Sequence, residues 1–313
     1  MRRVCWKFPC MFGACLFCVI LYDRSEVFPT EEYFIPRKEI LNRLNYDVLL
    51  SPAHNSCSLA VDLLVFVLSV VKDREKRSSI RNTWGRVDNT WPLVNFGRSV
   101  KVVFLFGVAP TPEENLELKS ESRMHNDVLQ INVTESYFIP TLKIMMAFKW
   151  MKERCSKVRY VMKTDDDVFV NLPFMMERVE SINGRFILGD RLPRALCHRS
   201  GKHTVSPKEY PFVFYPAYLI GYAYIMPAEV TLAMLNAFYR MPFLKIEDVY
   251  IGGILPRATR TSVLQIHPSW YENGQKVDIC DFSQNKLIAG ANIDNNTIFR
   301  IWQTFKEPWR CRK

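Results

Sequence analysis

RYVMKTDDDVFV, residues 159–170, sets an apolar run against three consecutive aspartates and then returns to apolar residues. Tyr160, Val161 and Met162 suit a strand buried on both faces, and Asp165, Asp166 and Asp167 fall where such a strand would end. In extended chain, residues i and i+2 share a face, so Asp165 and Asp167 point together while Asp166 points away or into a turn. Two hard oxygen ligands then converge, an arrangement that suits Mg²⁺ or Mn²⁺ with phosphate oxygens and water completing the shell. A solvated acidic loop is the competing reading. Apolar neighbours on both sides argue against it, because unpaired carboxylates beside a core are costly.

Upstream, DLLVFVLSVV (62–71) is a second nearly continuous apolar run, rich in Val, and reads as another strand buried on both faces. REKRSSIRNTW (74–84) predicts a helix that stops at Gly85. Next come a strand over KVVFLFGV (101–108), an acidic helix over 112–123, a short strand over DVLQINV (127–133) and a helix over 140–154. Strands and helices alternate, so the expected class is α/β, with a mixed, mostly parallel sheet flanked by helices and ligands at the carboxyl ends of its strands. The second half, with YPFVFYPAYLIGYAYIMP (210–227), is richer in aromatics and prolines and predicts antiparallel or irregular structure.

Glu247 and Asp248 open EDVYIGGIL (247–255). Acids at a helix start complement its dipole, so capping is one reading; a general base for a substrate hydroxyl is the other. Arg74, Arg77 and Arg81 fall on one helix face. Like charges at that spacing repel unless an anion sits among them, which makes Arg77 and Arg81 candidates for binding an anionic cofactor; a merely solvated basic face is the alternative.

The chain has 313 residues, 48% of them apolar and 13% aromatic, which excludes a peptide hormone, a disulfide miniprotein and a disordered linker. Its formal charge of +10 suits an anionic partner without choosing among nucleic acid, an acidic membrane and a phosphorylated small molecule. Residues 1–7 carry Arg2, Arg3 and Lys7, and 8–22 are uncharged and mostly apolar. The expectation is a cytosolic tail over 1–7, an uncut signal-anchor helix over 8–22, a polar stem over 23–60 and a lumenal domain over 61–313. A cleaved signal peptide is the alternative, and both deliver the body to a lumen or outside. Cys57, Cys155, Cys197, Cys280 and Cys311 lie in the body, enough for two disulfides and one spare thiol, and none of these five forms a Cys-x-x-Cys pair that would suggest zinc. Glycosylation triplets at Asn132 and Asn295 agree with lumenal exposure.

Four blocks then carry a family likeness. REKRSSIRNTWG (74–85), YVMKTDDDVFVN (160–171), YPFVFYPAYLIGYAYIM (210–226) and EDVYIGGIL (247–255) resemble, in order and spacing, the β-1,3-galactosyltransferase family, glycosyltransferase family 31. The resemblance covers roughly residues 61–302. It implies a GT-A type nucleotide-sugar fold, a Golgi membrane location in single-pass type II topology, and inverting transfer of galactose or N-acetylglucosamine in β-1,3 linkage. The donor would be UDP-galactose or UDP-N-acetylglucosamine, the acceptor a glycoprotein or glycolipid glycan, and the metal Mn²⁺; nucleic acid has no place in it. By the same likeness Asp165 and Asp167 hold the metal, with Asp165, Asp166, Arg77 and Arg81 toward the cofactor, and Asp248 is the catalytic base. Tyr215, Tyr218 and Tyr224 would help form a sugar-facing wall.

This chain departs from the family pattern at three positions. Leu219 and Ile254 stand where family members usually carry Cys, and Ala291 stands where many carry a metal-binding His, with His267 a conceivable substitute. Ala291 motivates a second reading, a membrane-anchored glycan-binding relative with weak or no turnover. A third reading, a phosphohydrolase with an aspartate nucleophile, draws on Asp165-x-Asp167 at a strand end.

Overall fold

The computed structural model of the protein describes residues 27–53, 57, 60–86, 96–274 and 277–311. Residues 8–22, expected to anchor the chain, lie outside that set. Among the described residues no helix is long and apolar enough to cross a membrane.

An eight-stranded sheet is built from β1 (Val48–Leu50), β2 (Val61–Leu68), β3 (Val100–Val108), β4 (Val128–Thr134), β5 (Val158–Asp165), β7 (Phe186–Leu192), β8 (Tyr218–Pro227) and β9 (Ser262–Gln265), in the order β1-β4-β3-β2-β5-β8-β7-β9. Strands β4, β3, β2 and β5 run parallel. β8 then pairs antiparallel with both β5 and β7, and β1 runs antiparallel along β4. The two halves therefore differ as expected, although the aromatic segment supplies a ten-residue central strand rather than irregular chain. A small second sheet joins β6 (Phe169–Val170) to β11 (Ala289–Ala291) and β11 to β10 (Tyr271–Asn273).

Alternation within β2 explains why it needs apolar residues at nearly every position. Leu64 and Phe66 enter one core, while Leu63, Val65 and Val67 enter the other. Helices α3 (Pro140–Arg154) and α5 (Ala228–Phe238) cover the first face. Helices α1 (Arg74–Asn82), α4 (Leu172–Glu180) and α8 (Asn295–Lys306) cover the second, and α2 (Pro112–His125) leads from β3 to β4.

The expected stem is not a free linker over its described part. Tyr33, Phe34 and Leu44 are buried in the first core. The Asn42 amide donates to the carbonyls of Phe238 and Met241 at 2.6 and 2.7 Å, and Cys57 is disulfide-bonded to Cys155. Spaced single apolar residues, without a helical or strand period, hid this packing. A second disulfide joins Cys280 to Cys311, and among the described residues Cys197 is a buried free thiol. Leu219 and Ile254 are fully buried in one core, as expected of an apolar pair.

Candidate active site

Strand β5 ends at Asp165, and Asp166 and Asp167 form a turn rather than a continued strand. That turn is pinned from two sides. The Trp84 indole donates to the Val168 carbonyl at 3.0 Å, and the Ile293 amide donates to the Asp167 carbonyl at 3.0 Å. The three carboxylates then part company. Asp166 is buried, accepts from Ser69 Oγ at 2.7 Å and lies 3.1 Å from Lys76 Nζ. Burial pushes its carboxyl up to about 6, against the pull of Ser69 and Lys76. Asp165 and Asp167 stay reachable, with 38% and 34% of their side chains exposed. Asp167 is raised by burial against the pull of Lys76, whose ammonium lies 3.8 Å away, and the charge of Asp165 opposes its ionisation further.

A lysine in the middle of a buried strand draws the second half of the site to the first. Lys163 Nζ lies 2.9 Å from Asp165 Oδ1 and 3.1 Å from Glu247 Oε2, and it donates to the Gly221 carbonyl. Burial alone would lower this ammonium; the charges of Asp165, Glu247 and Asp248 outweigh that and hold it protonated. Glu247 also accepts from the Tyr224 hydroxyl at 2.5 Å. Its burial, reinforced by the charge of Asp248, pushes its carboxyl up to about 8 despite Lys163. One buried ammonium faces three carboxylates, so one of them must resist ionisation.

Glu247 and Asp248 begin α6 (Glu247–Val249), which continues through a wide π turn over Tyr250–Ile254 into α7 (Leu255–Ala258). The π turn lies hard against β8. A Cβ on Gly252 would come within 2.8 Å of the Leu219 backbone nitrogen and oxygen, so only glycine permits this approach. The approach carries Asp248 onto Gly221, where a Cβ would stand 2.1 Å from Asp248 Oδ1. Tyr218, half-buried beside it, is pushed up to about 12 by burial and by the Asp248 charge. Of the three tyrosines expected to face a sugar, Tyr218 alone fits; Tyr215 and Tyr224 are buried in the core.

Arg77 and Arg81, expected at a cofactor, are both engaged by carboxylates of the protein, Arg77 buried and Arg81 half-buried. Arg77 is fully buried, donates twice to Glu121 at 2.8 and 2.6 Å, and also reaches Ser69 Oγ and the Val70 and Val71 carbonyls. Arg81 is gripped by Asp127 at 2.8 and 2.9 Å and by Glu121 at 2.7 Å. The anion that relieves their repulsion is therefore a pair of carboxylates of the protein. Helix geometry gives the reason for Arg81: α1 starts at the carboxyl edge of β2 and runs back along the sheet, about 1.5 Å per residue, so seven residues carry it about 10 Å from that edge. Arg77 acts at one remove, through Ser69, which in turn holds Asp166. Asp166 likewise supports the turn rather than presenting its carboxylate.

Asp165 and Asp167 fit a hard divalent cation as two accessible carboxylates that leave coordination positions for phosphate oxygens and water. No group of three metal-ligating side chains is assembled among the described residues. Ala291 ends β11 two residues before Ile293, the residue bonded to Asp167, and so brings only a methyl group to that neighbourhood. His267 faces Ser269 Oγ at 2.7 Å and the Trp270 ring.

Sequence reading missed Lys163, Glu121, Asp127 and Gly221. Lys163 carried a signal, since a cation between Met162 and Thr164 in an apolar strand needs a buried counter-charge. Glu121 carried none, one of several acids on a helix that is polar nearly all round.

A family model described as galactosyltransferase matches residues 75–267. β-1,3-Galactosyltransferase 5 of Gorilla gorilla gorilla is 31% identical over 246 residues, covering 77% of this chain and 80% of its own. UDP-GalNAc:β-1,3-N-acetylgalactosaminyltransferase 1 of Rattus norvegicus is 30% identical over 276 residues, 82% of this chain and 78% of its own. N-acetyllactosaminide β-1,3-N-acetylglucosaminyltransferase 4 of Homo sapiens is 34% identical over 218 residues, 68% and 56% respectively.

Proposed function

This chain belongs to the galactosyltransferase family of β-1,3-glycosyltransferases and is a hexosyltransferase, and on that premise we propose that it moves galactose, or N-acetylglucosamine, from a UDP-sugar to the 3-hydroxyl of a glycan with inversion. The three relatives differ in the sugar they are named for and agree on the β-1,3 linkage, so the linkage is the firmer half of the reading. The observation that carries it is the cluster in which Lys163 ties Asp165 at the end of β5 to Glu247 beside Asp248.

Asp165 and Asp167 would hold Mn²⁺ at the donor diphosphate. Bound there, the ion supplies positive charge to the departing UDP. Asp248 receives the proton of the acceptor hydroxyl as its oxygen bonds to the anomeric carbon and the bond to UDP breaks on the opposite face. Lys163 and Tyr224 keep Glu247 engaged, which leaves Asp248 as the base. Ser69, Arg77 and Lys76 keep Asp166 turned inward, so that its neighbours face the donor. The lumenal Golgi location and the anchor over 8–22 complete the reading, and the two disulfides agree with an oxidising compartment.

The test offers the purified domain UDP-galactose, UDP-N-acetylglucosamine and UDP-N-acetylgalactosamine with Mn²⁺ and an array of glycans. β-1,3-linked product supports the reading. UDP-sugar binding without transfer to any acceptor would favour the glycan-binding alternative.

A further inference from the structure

The parallel strands end on one edge of the sheet, and the chain leaving β4 reaches α3 through residues 135–139. Tyr137 and Phe138 in that connection are 49% and 42% exposed, with ring centroids 5.3 Å apart and edge to face. Two ammonium groups overlie them: Lys202 Nζ is 4.1 Å from the Tyr137 centroid, and Lys245 Nζ is 4.8 Å from that of Phe138. The Tyr137 hydroxyl lies 3.2 Å from His203 Nδ1.

The connection is fastened to the segment that carries the proposed base. Thr141 Oγ1 donates to the Leu244 and Lys245 carbonyls at 3.3 and 3.1 Å, and Lys245 lies three residues before Asp248. The segment that brings Lys202 to Tyr137 is basic. HRSGKHTVSPK (198–208) holds Arg199, Lys202 and Lys208 with two histidines and no acid. Glu209 follows and is engaged by Lys245, 3.2 Å from its amide and 3.6 Å from its ammonium. Glu135 is engaged by Lys143 at 3.0 Å and by the Gly107 amide. Exposed aromatic rings cover the apolar face of a pyranose, and beside them the exposed Lys202, with the half-buried Lys245 that it shares this corner with, adds attraction for an anion.

We propose that Tyr137, Phe138, Lys202 and Lys245 form an acceptor subsite that selects glycans bearing an anionic group, a sulfate ester or a carboxylate. This rests on the reading of the chain as a glycan-modifying transferase and names its acceptor class. A neutral disaccharide would stack on the rings without using the lysines; its sulfated or carboxylated counterpart would use both.

Binding is measured apart from turnover, by calorimetry with N-acetyllactosamine, its sulfated form and its sialylated form, at two salt concentrations. The expected result is about tenfold tighter binding of one or both anionic glycans at low salt, weakening as salt rises. Lys202→Glu should remove that preference, and Tyr137→Ala should weaken the neutral and anionic glycans alike. Preference for the sulfated form alone assigns a sulfate, and preference for the sialylated form alone assigns a carboxylate. Equal affinity for all three, or a preference unchanged in Lys202→Glu, overturns the proposal. Transfer to neutral glycans with no anionic preference would sink it while leaving the transferase reading intact. Anionic preference without any transfer would do the reverse.

Discussion

Gly221→Ala adds one methyl group at the closest approach in the site. The new Cβ would stand 2.1 Å from Asp248 Oδ1, 2.9 Å from Asp248 Cγ and 2.9 Å from Glu247 Oε2. Ordinary contact begins near 3.4 Å, so the Asp248 carboxylate must withdraw by about 1 Å. The atoms that must give way are the tips of side chains rather than backbone, which keeps the folding cost to about 1–3 kcal/mol. Catalysis is less forgiving: a displacement of about 1 Å costs on the order of 10²-fold, and a well-placed base contributes about 10²–10⁴-fold. The expected variant folds, binds UDP with Mn²⁺ like the parent and loses kcat by roughly two orders of magnitude. Steady-state transfer and calorimetric UDP titration on the same preparation read both quantities. A folded Gly221→Ala protein with kcat within twofold of the parent would refute the placement of Asp248 at the reaction.

Glu247, raised in the folded protein, holds its proton more tightly there than in the unfolded chain. Its contribution to stability is therefore complete at low pH and is lost as pH rises from about 4.5 to about 8, at roughly 1.4 kcal/mol per pH unit within that window. Chemical denaturation at several pH values should show this slope in the parent and a shallower one in Glu247→Gln; identical slopes would contradict it. Arg77→Met removes two hydrogen bonds from buried Glu121 and leaves it to Arg81 alone, and should cost about 1–3 kcal/mol in thermal or denaturant unfolding. Arg81→Met should lower stability too, yet leave UDP affinity unchanged in the folded fraction, whereas a salt-dependent loss of UDP binding would return Arg81 to the nucleotide.

Local patterning made the parallel half of the fold legible. The nearly continuous apolar run over 62–71 and the apolar Tyr160, Val161 and Met162 ahead of the aspartates read as strands buried on both faces, and strands are found at 61–68 and 158–165, as is the helix expected over 140–154. Long-range pairing was not legible. Alternation placed Asp165 and Asp167 on one face by assuming extended chain through Asp167, but Trp84 and Ile293 bend it after Asp165. The two acids remain neighbours for a different reason, a pinned turn. Likewise the spacing of Arg77 and Arg81 revealed a shared helix face and repulsion to be relieved, while the identity of the relieving anion depended on Glu121 and Asp127, 44 and 46 residues away in sequence. Early residues such as Tyr33, Phe34 and Leu44 gave no periodic signal, because each fills a separate gap in a core built by others.

Calorimetric titration of UDP into the parent and into Asp167→Ala, with and without Mn²⁺, tests the donor site most directly. The parent should bind UDP at least about tenfold more tightly with Mn²⁺ present, a gain of about 1.4 kcal/mol, and Asp167→Ala should show no such gain. Equal UDP affinity in all four titrations, or a full Mn²⁺ effect in Asp167→Ala, would contradict a metal-bridged diphosphate at the end of β5.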